Sequence, residues 1–457
     1  MGCGSSSAVG DCSSGSPPVK EKDFGQRLSV VIEPPTDDIS SYNSSTEPIS
    51  GAPNEGLNSQ DLQYMCGTDV PLEWLHQRLI EKFKVPEEPE PHWIAERLNS
   101  ITYCDTDKAA VVRITLGWEN PGKLPQSVVL KIPVKNSDEA SSDQKTRWIY
   151  RMFKRECNTY EWLIKYKKIA VPKVFVIKKQ SSDSCGSVLV MEDLAEKYSL
   201  ADYKKGMKVE AVQDLLKNLA LIHAQSMKDS EWTTMIAGLS PLVYQDFSES
   251  IEKTLDVLVD SKEIEASQRE SLKPYISPEY LTNTVADACK EFGSENVLVH
   301  GSPLAVNVFM GANNKVGAIT DWAHSHPGCF AEDVTKAICW NLSPQDRHSH
   351  LTRLLENYHY NFARYFGGTD CKLTLETIKL GYQRFVPMAT VCLLPHFAQL
   401  LDRPDSDVAL LRERAKALID DTTVMSITEV PITSLAGNVP IAGGVAGGIT
   451  GAAGKSA

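Results

Sequence analysis

The chain predicts an α+β fold in two lobes, the first small and strand-rich, the second larger and mainly helical. Residues 109–118 and 127–133 are apolar or alternating and β-branched, and Glu119-Asn120-Pro121-Gly122 between them is a turn signal, which together predict paired strands. Apolar residues at helical spacing recur from 209 to 420. A length of 457 residues with 42% hydrophobic content is enough to bury two cores.

In chain order, residues 1–60 carry thirteen serines and eight acidic against three basic residues, so they bury too little apolar surface to fold and are read as a disordered acidic tail. The start, Met1-Gly2-Cys3-Gly4-Ser5-Ser6, fits the acceptor pattern for myristoylation at Gly2. One acyl chain anchors only marginally and the acidic tail is repelled by anionic lipid, so Cys3 is the expected second, palmitoylated, anchor. The chain is then expected in the cytoplasm, held at the cytoplasmic face of a membrane through its acyl groups. Residues 71–83 open with proline and place Trp74, Leu75, Leu79 and Ile80 on one helical stripe. Residues 188–194, Val-Leu-Val-Met-Glu-Asp-Leu, read as a connector between the lobes or simply as a buried strand end. An amphipathic helix follows over 209–227, with His223 read as a structural histidine, and long helical patterns cover 346–366, 374–397 and 407–420. The division is thus 1–60, 61–193, 194–421 and a Gly/Ala-rich tail, 422–457. In that tail Gly454-Lys455-Ser456 lacks the first glycine of a phosphate-binding loop, because Ile449 stands there.

A net charge of -12 leaves no basic stripe for nucleic acid. No run of eighteen strongly apolar residues predicts a membrane-spanning helix. Eleven cysteines without paired C-x-x-C spacing are read as reduced thiols, and a zinc site is not expected.

The densest chemical signal is Val297-Leu298-Val299-His300-Gly301-Ser302 through Asn307, with Ile319-Thr320-Asp321-Trp322 beyond it. Phosphotransferases place H-x-D-x-x-x-x-N in such a loop, where the Asp orients and deprotonates the acceptor hydroxyl while the Asn and a later Asp hold magnesium. Here Ser302 occupies the place of that first carboxylate. Upstream, Lys131 within Val128-Val129-Leu130-Lys131-Ile132 matches the strand lysine that reaches nucleotide phosphates, and Glu156 is its expected ion-pair partner, with Glu161 as the competitor. His324 and His326 flank Asp321, but a magnesium site prefers oxygen ligands, so neither is assigned to a metal. Glu332 and Asp333 read as helix caps or as ion-pair partners.

With His300-Gly301, Asn307, Asp321-Trp322, His326-Pro327-Gly328 and Ala331-Glu332-Asp333, the chain from about 61 to 421 resembles the CHK kinase-like family, the choline-kinase-like and ecdysteroid-kinase-like branch of the aminoglycoside phosphotransferase superfamily. The resemblance implies a two-lobed protein-kinase-like fold, ATP and Mg2+ as cofactors, Lys131, Glu156, Met191 and Glu192 at the nucleotide, and Asn307 and Asp321 at the metal. It also implies a catalytic loop of His300 and Ser302 whose base is missing, and a glycine-bearing phosphate loop that residues 98–111 lack, since they contain no glycine and carry Asp105 and Asp107. Both departures predict a pseudokinase acting through a nucleotide, a small hydroxyl ligand or a regulatory protein partner. The alternative is a phosphotransferase acting on a choline-like, steroid or xenobiotic alcohol, its acceptor pocket unreadable because Trp340, Tyr358, Tyr382 and Phe385 suit ordinary core packing.

Overall fold

A computed structural model describes residues 68–85, 91–98, 109–133, 144–180, 185–239, 241–367, 373–398 and 407–428. Gly2, Cys3, the loop at 99–108 and residues 429–457 lie outside the described residues. Residues 422–428, which the sequence reading gives to the Gly/Ala-rich tail, instead continue the last helix, because they hold no glycine or proline to end it.

The first lobe holds α1 (Leu72–Phe83), β1 (His92–Leu98), β2 (Ala109–Gly117), β3 (Ser127–Pro133), α2 (Gln144–Leu163), β4 (Val174–Lys178) and β5 (Val188–Glu192). Its five strands form one antiparallel sheet in the order β1-β2-β3-β5-β4. Alternation decides its faces: Val112, Ile114 and Leu116 of β2 and Val128, Leu130 and Ile132 of β3 point into a core that Leu72, Leu75 and Leu79 of α1 close. Lys131, one residue out of phase, therefore leaves from the opposite face.

That opposite face meets α2. Phe153, Cys157, Tyr160, Trp162 and Leu163 of this helix pack into the hydrophobic cluster of the second lobe, not into the sheet's own. A polar row on the same helix reinforces the attachment. Arg155 donates to the carbonyls of Ala237 (2.7 Å), Ser325 (2.9 Å) and Gly238 (3.2 Å), Asn158 to Met235 O (2.7 Å), and Trp162 Nε1 to Asp229 (3.0 Å). Spacing of three to four residues is what brings these side chains onto one helical face.

The connector, Asp193 with a 3-10 turn at Leu194–Glu196, is fixed to the sheet: Asp193 accepts from Arg113 Nε (2.6 Å), Ser127 Oγ (3.1 Å) and Ala195 N (3.0 Å).

The second lobe runs β6 (Ser199–Leu200), α3 (Val209–Lys228), α4 (Trp232–Met235), α5 (Pro241–Asp260), α6 (Ala266–Leu272), α7 (Pro278–Glu291), β7 (Val297–Val299), β8 (Val308–Met310), β9 (Val316–Ile319), β10 (His326–Gly328), α8 (Phe330–Asn341), α9 (Pro344–Phe366), α10 (Leu375–Ala398) and α11 (Asp407–Thr428). It is the two-lobed α+β, protein-kinase-like arrangement that the sequence predicts. α8 is buried along its whole length, with α3, α10 and α11 packed around it. Trp340, Tyr358, Tyr382 and Phe385 are all core residues. Among the described residues, no helix is long and apolar enough to cross a membrane.

Candidate active site

Two short strand pairs assemble the site. β8 pairs with β9 so that Val308 faces Ile319, which brings Thr320 N–H to the carbonyl of Asn307 (2.9 Å) and sets Asp321 beside that asparagine. β10 returns along β7, with His326 opposite Val299, and closes the loop from His300 to Asn307 between them.

Lys131 lies at the centre. Its Nζ is 2.7 Å from Glu156 Oε2 on α2 and 2.7 Å from Asp321 Oδ1. Glu161 pairs instead with Lys179 at 2.6 Å, so Glu156 is the partner of Lys131. One ammonium between two buried carboxylates ionises them unequally. Burial pushes the Glu156 carboxyl up to about 7 despite the Lys131 charge. Asp321 is held far below the ordinary carboxylate range because Lys131 outweighs its burial. Burial also disfavours the Lys131 charge, but Asp321 and Glu156 together raise its pKa well above the usual value.

Asp321 adopts a left-handed backbone (φ 62°), in which a non-glycine residue is uncommon. Its Oδ1 is the atom that accepts from Lys131, so Oδ2 lies outside that bond. Asn307 donates its Nδ2 to Ser302 O (3.0 Å), which leaves Oδ1 outside that bond as well. These are the two oxygen atoms that could meet magnesium at the place the sequence assigns to it, a cation that takes few protein ligands and keeps waters and phosphate oxygens.

The loop itself is braced from behind. Asp333, fully buried in the first turn of α8, accepts from His300 N (2.7 Å), Gly301 N (2.9 Å) and His223 Nε2 (3.2 Å), while His223 Nδ1 meets Tyr358 Oη at 2.8 Å. Burial opposes its charge, yet the bonds from His223 and the loop hold its pKa below the ordinary value. Lys336 donates to Gly301 O (2.8 Å) and to Glu332 Oε1 (2.6 Å), and Glu332 also meets His326 Nε2 (3.1 Å). Gly301 has φ +86°, and a Cβ there would lie 2.7 Å from His324 O, so glycine is required.

His300 is buried with both ring nitrogens engaged: Nε2 donates to Thr320 O (2.9 Å) and Nδ1 accepts from Ser302 N (3.1 Å). Burial lowers its pKa and keeps the ring neutral. It shapes the loop and has no free nitrogen to take a substrate proton. Ser302 is half-buried at the end of this brace. Met191 is buried at the end of β5, and the Glu192 side chain is spent on Lys173 N (2.8 Å) and Lys197 Nζ (3.2 Å).

The structure therefore gathers Lys131, Glu156, Asp321, Asn307, Ser302 and His300, with Met191 and Glu192 at the connector. Sequence reasoning missed Arg155, Lys336 and Arg113. Of these, Arg155 carried a signal: consecutive helical residues diverge by about 100°, so beside an inward Glu156 it had to meet a different surface.

Over residues 110–426 the sequence matches the family DUF1679, described as "Uncharacterized oxidoreductase dhs-27". The chain belongs to this family. Every strand pairing among the described residues is antiparallel, whereas the dinucleotide-binding folds that the word oxidoreductase would suggest are built on a mostly parallel sheet. Comparison with curated proteins gives no match. Among solved structures, choline kinase from Cryptosporidium parvum is 10% identical with a TM-score of 0.49, covering 80% of this chain and 99% of that one. A putative aminoglycoside phosphotransferase from Ralstonia eutropha is 14% identical with a TM-score of 0.43, covering 78% and 96%. Choline kinase LicA from Streptococcus pneumoniae is 14% identical with a TM-score of 0.34, covering 76% and 98%. These are distant likenesses, and the roles given to individual side chains rest on the contacts described above.

Two outcomes follow from the brace and the ion cluster. Asp333→Ala leaves three buried N–H donors without an acceptor and should lower the unfolding free energy by about 3–5 kcal/mol in urea titration; a loss under about 1 kcal/mol would remove the brace. Because the Glu156 pKa is raised from 4.5 to about 7, its contribution to stability is complete below the lower value and is lost as pH rises through the higher one. Wild type should therefore lose stability relative to Glu156→Gln between pH 5 and pH 8, and a pH-independent difference would contradict the shift.

Proposed function

We propose that this chain is a membrane-tethered pseudokinase that binds ATP with magnesium and transfers phosphate poorly or not at all. The observation that carries the reading is the occupation of the carboxylates around the loop. Asp333 is taken by His300, Gly301 and His223, Glu332 by Lys336 and His326, and Asp321 by Lys131. Asp333 and Glu332 are thus spent. Asp321, held far below the ordinary carboxylate range with its second oxygen directed to a metal, is a poor proton acceptor. None replaces the base absent at Ser302, and a serine hydroxyl does not accept a proton near neutral pH.

Nucleotide binding draws support from the other half of the site. Lys131, fixed by Glu156, would meet phosphate oxygens, and Asn307 Oδ1 with Asp321 Oδ2 would hold magnesium, which when bound neutralises phosphate charge. The backbone at 191–193, pinned through Asp193, would present main-chain groups to adenine. A regulatory protein partner or a small hydroxyl ligand would then read the nucleotide-bound state.

The intact Lys131–Glu156–Asp321 cluster favours a second reading, a slow phosphotransferase acting on a small alcohol of the kind its choline- or aminoglycoside-directed likenesses are named for. Positioning and charge stabilisation carry much of phosphoryl transfer, and loss of a general base costs about 10²–10⁴-fold in rate. ATP turnover with a panel of amino-alcohols, steroids and xenobiotic alcohols separates the two. Wild type should turn over about 10²-fold or more below Ser302→Asp, and wild-type turnover equal to that variant's would overturn the pseudokinase reading. Tethering through Gly2 and Cys3 is tested by fractionation: Gly2→Ala should release the protein from membranes, and unchanged membrane association would dismiss it.

A further inference from the structure

Arg113 belongs to neither hydrophobic cluster, yet each of its three guanidinium nitrogens has a partner. Nε is 2.6 Å from Asp193 Oδ2, Nη2 is 3.4 Å from Asp193 Oδ1 and Nη1 is 3.4 Å from Glu96 Oε2. The strand pattern explains the direction the side chain takes. Val112 and Ile114 enter the core of the first lobe, so Arg113 between them leaves on the side that carries Lys131.

Register then fixes its surroundings. Glu96, Arg113, Val129 and Met191 lie opposite one another across β1, β2, β3 and β5. Ser127, Val129 and Lys131 share one face of β3, and Asp193 follows β5 on the far side of that strand. The side chain of Arg113 therefore crosses the face of β3 to reach Asp193, beside Ser127, whose Oγ meets the same Oδ2 at 3.1 Å. Ser127 and Lys131 are four strand residues apart, roughly 13 Å, a separation that a ribose and a phosphate chain can bridge. The guanidinium thus lies at one end of a path that has the phosphate-directed ammonium at the other.

We propose, resting on the nucleotide reading above, that Arg113 is a base-binding residue whose guanidinium stacks on the nucleobase while Lys131 meets the phosphates. Charge argues for a base and against a phosphate at this end, because Asp193 and Glu96 already balance the cation. A planar, weakly hydrated guanidinium held still by in-plane hydrogen bonds is suited to an aromatic face. Its side chain stays 27% exposed, so a ligand can reach it. Since its nitrogens serve two carboxylates, it meets the face of the base and not the edge, and adenine and guanine are held alike.

Calorimetric titration of the purified full chain with magnesium tests this, using ATP, GTP and inorganic tripolyphosphate as probes for wild type, Arg113→Ala and Arg113→Lys. Wild type should bind both nucleotides about 5- to 10-fold more tightly than tripolyphosphate, a comparison that needs no variant to fold. Both variants should lose that margin and keep their tripolyphosphate affinity within about twofold. The lysine variant matters because it keeps a cation for Asp193 but has no plane to stack. Full nucleotide affinity in Arg113→Lys would overturn stacking in favour of the ion pair alone, and an equal loss of ATP and tripolyphosphate in both variants would assign Arg113 to charge or to connector geometry. Wild type that binds tripolyphosphate as tightly as ATP would overturn the base contact, whereas wild type that binds none of the three probes would overturn the nucleotide reading itself.

Discussion

A single ammonium ties the sheet of the first lobe to two carboxylates held against the second. Lys131 leaves the small sheet on the face away from its own core and is met by Glu156 and Asp321, both fixed to the other lobe. The second lobe's cluster also takes in the apolar face of α2 and Leu189 and Met191 of β5, so the charge cluster adds a polar tie beside an apolar contact between the lobes. A cation between two buried acids is costly to disrupt by removing one member, because the remaining charge has no water to turn to. That makes the lobes' relative placement depend on a site whose residue types are those of nucleotide chemistry.

The helix carrying Glu156 deepens this dependence. α2 follows the sheet's third strand in sequence, yet its apolar face and its polar row of Arg155, Asn158 and Trp162 are committed to the second lobe. Glu156 is therefore presented by a rigid surface, and Lys131 reaches across to it. Arg155 shows how the arrangement is built, since a guanidinium with several donors can satisfy three carbonyls from two separate segments at once.

Much of this was legible in the chain. The apolar pattern at 127–133 marked the strand that holds Lys131, the helical stripe at Leu75 and Leu79 marked the first helix, and the spacing from His300 to Asn307 to Asp321 marked loop residues that the structure brings near one another. The sequence favoured Glu156 over Glu161 and the structure agrees, but both lie on one helix near the strand, and it is the docking of α2 that turns one inward and the other toward Lys179. The brace behind the loop was not legible. Asp333 and Lys336 act on backbone groups of His300 and Gly301, and a bond to main chain leaves no complementary residue type in the sequence to reveal it. The brace also separates shape from chemistry: it holds the loop in place although the side chain at its end, Ser302, has no carboxylate to offer.

The most direct measurement is calorimetric titration of ATP into the purified full chain with and without magnesium, for wild type and for Asp321→Asn. If the ammonium-centred cluster still forms a metal-nucleotide site, wild type binds ATP more tightly with magnesium than without it, and Asp321→Asn loses that difference. Wild type that gives no binding heat at any accessible ATP concentration, or an Asp321→Asn variant that keeps the full magnesium dependence, would contradict it.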